Sequence, residues 1–157
     1  MSTEPQATDW SPEVEEIRHR RALAMDMGGE EGIARQHRNG KYTVRERIEK
    51  LFDAGTFREF GALTGDAEYL DGRLATFTPA NGVIGVGRIG GRQVAVSADD
   101  FTIRGGASDG GGPIKDEWVH HVAHEWKIPF VRLIDGGSGS IRGAIDEGRT
   151  HIPYDGS

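Results

Sequence analysis

The spacing of apolar residues changes at Gly55 and divides the chain into a helical part and a strand-rich part. Residues 1–9 are polar and show no periodicity, which is typical of a flexible arm. Within residues 10–55 apolar residues mark the sides of helices, irregularly in the first of them, whereas residues 56–157 contain short apolar runs punctuated by glycine. The sequence therefore predicts a helical segment followed by an α/β domain.

Two helices are predicted before Gly55. The first starts at Ser11, with Pro12 at the first helical position, and ends near Gly28; Val14, Ile17 and Met25 form its apolar side. The second has a stronger start signal, because Thr43 followed by Glu46 three residues later forms a capping box. Its apolar face contains Val44, Ile48 and Leu51. The basic stretch between the helices is predicted to be a connection that could attract phosphate or simply face solvent.

The strand-rich part contains one clear hairpin. Residues 83–89 and 92–97 alternate or run apolar on either side of Gly90-Gly91, which predicts two antiparallel strands joined by a two-residue turn. Residues 56–63 are predicted to form a short strand, and residues 65–80 a polar loop.

A helix and a further strand follow the hairpin. Pro113 marks the helix start, and Trp118, Val122 and Trp126 at spacing four give the helix an apolar side. Residues 128–134 are mostly apolar, which predicts a strand buried on both faces, as in a parallel sheet. The order of hairpin, helix, strand, turn and helix indicates an α/β layer arrangement.

Composition narrows the classes of function. The chain has 157 residues and a net charge of −6, which argues against a nucleic-acid surface. It contains no cysteine, so disulfides and thiol nucleophiles are excluded. No run is long and apolar enough for a membrane span, and no signal peptide is evident, so the expected compartment is the cytoplasm, without membrane or nucleic-acid partners.

The 24 glycines are about twice the usual frequency, and eight of them lie in two turns, at residues 105–112 and 136–139. Each turn leads from a strand end into a helix start, where backbone N–H groups and the helix dipole favour an anion. We expect the two turns to converge on one anionic or oxyanionic group. The alternatives are a flexible surface loop and a plain turn. Neither turn matches a phosphate loop or a dinucleotide fingerprint.

Other polar residues are weaker candidates for chemistry. His120 and His124, at helical spacing, could share a metal, but no third ligand is evident and no metal site is predicted. Asp99, Asp100 and Asp135 are acid–base candidates by residue type, although carboxylates at loop ends more often cap turns.

Three blocks of the sequence resemble, in order, the N-terminal part of the carboxyltransferase β subunit of biotin-dependent acyl-CoA carboxylases of the propionyl-CoA and methylcrotonyl-CoA type. The blocks are GIARQHRNGKYTVRERIEKLFDAGTFREFGAL, NGVIGVGRIGGRQVAVSADDFTIRGGAS and IPFVRLIDGGSGSIRG. The resemblance implies a crotonase-like fold, a spiral of β-β-α units, with two such domains in each subunit. The first domain would mainly house acyl-CoA and the second carboxybiotin. Residues 56–157 would then be the first part of a truncated carboxyltransferase domain.

The same resemblance implies an activity. In that family the enolate of an acyl-CoA thioester takes a carboxyl group from carboxybiotin on a carrier protein, and glycine-turn N–H groups stabilise the oxyanions. The implied partners are the remaining C-terminal carboxyltransferase portion, a biotin carboxylase and a biotin carrier subunit, in an oligomer. The chain alone is expected to be inactive and weakly stable.

Site residues follow by matching positions. The catalytic candidates lie in the two turns: Gly105, Gly106, Gly137, Ser138 and Gly139. The substrate-binding candidates are Arg104, Ala107, Lys115 and Ser140. The second turn departs from the family motif Asp-Ser-Gly-Gly-Ala-Arg-Ile, since Gly, Ser, Gly and Ser stand at positions 136, 138, 139 and 140, where the motif has Ser, Gly, Ala and Arg.

Two alternatives to carboxyl transfer stay open. The first is a degenerate, non-catalytic assembly subunit, or a decarboxylase-type activity on the same substrates. The second is an unrelated nucleotide-binding α/β domain, which predicts a Rossmann-like parallel sheet.

Overall fold

A computed structural model describes residues 9–106 and 112–136 of the chain. Three helices come first, then five strands, a fourth helix and a sixth strand. The helices are α1 (Ser11–Met25), α2 (Gly29–Arg38), α3 (Val44–Leu51) and α4 (Gly112–Trp126). The strands are β1 (Arg58–Phe60), β2 (Gly65–Leu70), β3 (Arg73–Pro79), β4 (Gly82–Ile89), β5 (Arg92–Asp99) and β6 (Phe130–Leu133).

A four-stranded sheet in the order β1-β4-β5-β6 forms the centre of the fold. The first three strands are antiparallel, and β6 is parallel to β5 after the chain crosses over through α4. The β4–β5–α4 segment is thus a β-β-α unit, as expected for a crotonase-like spiral. The antiparallel pairs are incompatible with the Rossmann-like alternative.

The predicted hairpin is confirmed, and its turn has an unpredicted support. Gly90 and Gly91 both have positive φ, as a tight two-residue turn requires. The carboxylate of Asp53 accepts hydrogen bonds from both glycine N–H groups, at 3.0 and 2.8 Å. These bonds hold the pKa of Asp53 below its usual value.

Apolar side chains cover both faces of the sheet. The core on one face joins α3 to the strands: Val44, Ile48, Phe52, Val83, Val94, Val96 and Ala98. The core on the other face joins α4 to the strands: Ile84, Val86, Ala95, Val119, Val122 and Ala123. The capping box of α3 is present, and Val44 and Ile48 form its buried face as predicted.

Two predicted connections are regular structure. Residues 65–80 form the β2–β3 hairpin, which was missed because most of its side chains are exposed and give no strand periodicity. The basic stretch after Gly28 is helix α2, whose buried positions are Gly32 and Gln36 rather than apolar residues.

Two predicted helix faces were wrong. In α4 the buried apolar residues are Val119, Val122 and Ala123, whereas Trp118 and Trp126 are about half exposed. In α1 Val14 and Ile17 are 41% exposed and Met25 is 55% exposed, and Ala24 is the buried residue. Strand β6 pairs in parallel as predicted but is not buried on both faces in this chain, since Arg132 is exposed.

Candidate functional site

The first glycine turn begins with a buried carboxylate. Just beyond β5, Asp100 Oδ1 accepts hydrogen bonds from the backbone N–H of Thr102 at 2.9 Å and from its hydroxyl at 2.5 Å. Asp100 is 2% exposed, and burial raises its pKa despite these bonds. Asp100 therefore caps the turn, and the structure gives it no solvent-facing acid–base role.

The turn continues through three residues with positive φ: Arg104, Gly105 and Gly106, at 49°, 68° and 71°. The N–H of Gly106 donates to the carbonyl oxygen of Ile103 at 3.0 Å. Gly106 is buried, and a Cβ there would lie 2.6 Å from the carbonyl oxygen of Asp135. This close approach explains why glycine is needed at position 106.

The second turn starts at the end of β6 and meets the first. Gly136 has a φ of 101°, and a Cβ on it would lie 2.8 Å from the carbonyl oxygen of Gly105 and 3.1 Å from the ring of Phe101. The described ends of the two turns therefore lie against each other, and their convergence on one anionic group stays a prediction. Ala107, Gly137, Ser138, Gly139 and Ser140 lie outside the described residues.

Asp135, between β6 and Gly136, is held by its backbone and by its side chain. Its N–H donates to Asp99 Oδ2 at 3.2 Å, and its carboxylate accepts from Gln36 Nε2 at 2.7 Å and from Lys41 Nζ at 2.9 Å. Arg47 lies 3.9 Å from the same carboxylate. Burial raises the pKa of Asp135, but these hydrogen bonds and positive charges outweigh it, so that the pKa is below its usual value.

Asp99 and Asp135 thus act as a pair of turn supports in this structure. Burial raises the pKa of Asp99, and the N–H of Asp135 partly offsets that effect. The carboxylates of Asp99 and Asp100 bind donors of the turns, which agrees with the capping interpretation, whereas the carboxylate of Asp135 ties the second turn to Gln36 and Lys41.

Helix α2 lies against the first turn, and the sequence interpretation missed this contact. The N–H of Gly28 donates to the Thr102 hydroxyl at 2.9 Å, and a Cβ on Gly32 would lie 3.1 Å from Thr102. Glycines four residues apart on one side of a polar helix were the available signal, because they mark close approach by another backbone.

Lys115, a predicted substrate-binding residue, points into the interior. It is 5% exposed, and its side chain packs beside Gly61, close to the ion pair that Arg45 and Glu59 form at 2.9 Å. Burial lowers the pKa of its ammonium group. A cavity of about 10 Å³ adjoins it, which is room for no more than one water. Lys115 therefore supports the protein beneath the first turn and does not face solvent.

Arg104, the other described substrate-binding candidate, is accessible. Its side chain is about half exposed and lies 3.4 Å from Asp66 on β2. The β2–β3 hairpin, predicted as a loop, therefore flanks the first glycine turn. This arrangement leaves a cationic side chain at the rim of the turn.

The helix histidines make structural contacts. His120 packs edge-on against Phe130, with ring centres 4.3 Å apart, and His121 lies 3.1 Å from Glu125. Within residues 9–106 and 112–136, no three His, Asp or Glu side chains form a metal-binding group. None of the helices described in this chain is long and apolar enough to cross a membrane.

Residues 35–151 match the carboxyl transferase domain family. The carboxyltransferase subunit of propionyl-CoA carboxylase from Haloferax mediterranei is 45% identical over 136 residues, covering 84% of this chain and 26% of that protein. The methylmalonyl-CoA decarboxylase subunit alpha from Veillonella parvula is 34% identical over 134 residues, covering 85% of this chain and 26% of that protein.

A solved structure agrees with these relatives. The transcarboxylase 12S hexamer, crystallised with methylmalonyl-coenzyme A and methylmalonic acid bound, superposes with a TM-score of 0.73 at 33% identity, over 90% of this chain and 28% of that one. The chain belongs to the carboxyl transferase domain family and has its crotonase-like fold. It spans about a quarter of the length of these relatives.

Proposed function

We propose that this chain forms the acyl-CoA side of a biotin-dependent carboxyltransferase site. The observation that carries the proposal is the backbone-to-backbone contact of Gly106 with Asp135 and of Gly136 with Gly105. Two strand ends are thereby brought together with no side chain between them, which suits a flat, charge-developing group such as a thioester enolate.

The proposed reaction moves one carboxyl group. The acyl-CoA thioester loses a proton from its α-carbon, and the enolate carbon then forms a bond to the transferred carboxyl carbon. Carboxybiotin on its carrier would supply that carboxyl group by breaking its N–carboxyl bond, and the freed biotin nitrogen would take up the proton that the thioester loses. The role proposed for this chain is to stabilise the negative oxygen with backbone N–H donors, each of which is typically worth about 10²–10³ in rate.

The donors are assigned among the turn residues. Because the N–H of Gly106 already binds Ile103, Gly106 contributes the close contact between turns rather than a donor. Gly105 and the second-turn residues Gly137, Ser138 and Gly139 are the proposed donors. No described residue is assigned to biotin, since the resemblance assigns the biotin side of the site to the second domain of the subunit.

The two described substrate-binding candidates, Arg104 and Lys115, differ in exposure. Arg104, at the rim of the turn, is proposed to contact the coenzyme A portion, whose phosphates suit a guanidinium group. Ala107 and Ser140 are proposed to contact the same portion. Lys115 is proposed to support the first turn from below, because its ammonium group is buried.

The proposed partners complete the enzyme. They are the C-terminal carboxyltransferase portion, a biotin carboxylase and a biotin carrier subunit, assembled in an oligomer in the cytoplasm. Alone, the chain is proposed to be inactive.

A neighbouring activity is a second candidate. The methylmalonyl-CoA decarboxylase relative is about as similar over the same region as the carboxylase relatives at 33–35% identity. The changed residues at positions 136 and 138–140 favour a third possibility, an assembly subunit without activity.

Reconstitution tests these functions together. The chain is mixed with the C-terminal portion of the subunit, and carboxybiotin and several acyl-CoAs are added; new malonyl-type thioesters are expected. Release of CO₂ from methylmalonyl-CoA without transfer would indicate the decarboxylase. Calorimetric titration with coenzyme A separates the assembly subunit, which should give no binding heat.

A further inference from the structure

We infer that Gln36 is a positioning residue that sets the packing between the two glycine turns by holding Asp135 from the last turn of α2. The structural part of this inference stands on the contacts alone, and its catalytic consequence rests on the proposed function.

The contact between Gln36 and Asp135 is buried and joins distant parts of the chain. Gln36 is 1% exposed, and its Nε2 donates to Asp135 Oδ2 at 2.7 Å across 99 positions of sequence. Lys41 binds the other carboxylate oxygen, but its side chain is about half exposed. Gln36 is therefore the interior support, and Lys41 the solvent-facing one.

The Gln36 amide is oriented by this short bond and by a longer one, 3.5 Å, from the same Nε2 to the carbonyl oxygen of Tyr42. Its Oε1 atom is buried and has no hydrogen-bond partner among the described residues. A buried acceptor without a hydrogen bond is unfavourable. If residue 36 only filled space, an apolar side chain of similar size would be more stable there. Only the observed amide orientation lets a donor meet the carboxylate.

Displacement of Asp135 would reach both turns. Its N–H is bound to Asp99, and its carbonyl oxygen lies against Gly106. Gly136 follows directly and lies against the Gly105 carbonyl. The position of this one residue thus decides how closely the two backbones approach.

Two substitutions remove the donor in different ways. Gln36→Glu places a second carboxylate against Asp135 and replaces attraction by repulsion. Gln36→Met keeps a similar length and volume but cannot donate. Gln93→Glu introduces the same charge change at an exposed position on β5 and serves as the matched control.

Amide hydrogen exchange in the full chain is the first readout, because it needs no activity. The N–H groups of Gly106 and Asp135 are hydrogen-bonded and report directly on the two turns. We expect Gln36→Glu to accelerate exchange at both by about tenfold or more, with the amides of Val94 and Val96 in the central hairpin unchanged. Gln93→Glu should leave Gly106 and Asp135 unaffected.

Unchanged exchange at Gly106 and Asp135 would overturn the inference. If Gln36→Glu accelerates exchange everywhere, the protein has lost its fold, and Gln36→Met decides in its place by the same criterion. Acceleration by Gln36→Met that is confined to the turns supports the inference.

Kinetics of the reconstituted enzyme separate positioning from general stability. Gln36→Met is expected to lower kcat about 10²-fold with little change in KM, because misplaced donors affect the transition state more than binding. An equal rise in KM with kcat unchanged would contradict positioning. A wild-type reconstitution without turnover would refute the proposed function and leave the exchange result standing.

Discussion

The backbone of Gly28 lies directly against that of Thr102. The Gly28 N–H donates to the Thr102 hydroxyl at 2.9 Å, and a Cβ on Gly28 would fall 2.1 Å from the Thr102 carbonyl oxygen. The Thr102 hydroxyl in turn donates to the buried Asp100. The start of α2 is therefore bound to the first glycine turn through a backbone contact at Gly28 that leaves no room for a side chain.

We expect Gly28→Ala to destabilise the protein by about 1–3 kcal/mol, because one backbone must move to admit the methyl group. Gly82→Ala is the matched control, since Gly82 has ordinary φ and no atom within 4 Å of its Cβ position. Urea unfolding of both variants measures the difference. Equal midpoints would show that the contact relaxes freely.

Gly105 and Gly106 offer a second comparison within the first turn. Both have positive φ, so alanine is strained at either position. A Cβ on Gly106 would also lie 2.6 Å from the Asp135 carbonyl oxygen, whereas the nearest atom to one on Gly105 is 4.0 Å away. Gly106→Ala should therefore be less stable than Gly105→Ala by about 1–3 kcal/mol in denaturant titration. The opposite order would indicate that the two turns separate easily.

The charge of Glu46 in the α3 capping box should contribute stability that depends on pH. The backbone N–H of Thr43 and the side chain of His37 lower the pKa of Glu46 to about 2 from an ordinary 4.5. A lowered folded-state pKa stabilises the protein above pH 4.5 and loses that effect as the pH falls toward 2.

Glu46→Gln isolates this charge, because glutamine can still bind the Thr43 N–H. The thermal midpoint of the wild type should exceed that of Glu46→Gln at pH 6, and the gap should narrow by pH 3. Because Glu46 is partly exposed, added salt should also reduce the gap. A gap that is constant with pH would mean that the charge makes no contribution.

Ile84 is a buried member of the core between the sheet and α4. It is 2% exposed, so Ile84→Ala should cost about 2–5 kcal/mol in free energy of unfolding. Ile114 on α4 is 69% exposed, and Ile114→Ala should change stability by less than about 0.5 kcal/mol. Similar losses for both would place Ile114 in a core formed with another molecule.

Local signals predicted several elements correctly. The Thr43–Glu46 capping box predicted the start of α3, and Gly90-Gly91 between apolar runs predicted the central hairpin. Both signals are local because caps and tight turns depend on neighbours in the chain. Elements whose stability comes from elsewhere were missed. Helix α2 buries Gly32 and Gln36, and the β2–β3 hairpin is mostly exposed, so neither shows apolar periodicity.

At the candidate site, too, local features were predicted correctly and features that depend on tertiary packing were not. The types and order of residues predicted two glycine turns at strand ends and the family of the chain. The sequence predicted Lys115 as a substrate-binding residue, but tertiary packing buries its side chain beside Gly61.

The sequence by itself determined α3, the central hairpin and the glycine turns, because each depends on residues close together in the chain. It also determined the family, because three blocks of residues occur in the family's order. Only the tertiary structure decided that Gly28 binds Thr102 across 74 positions and that Gln36 binds Asp135 across 99. Such contacts exist only once the sheet and the helices have packed, since packing alone brings distant backbones within hydrogen-bond distance.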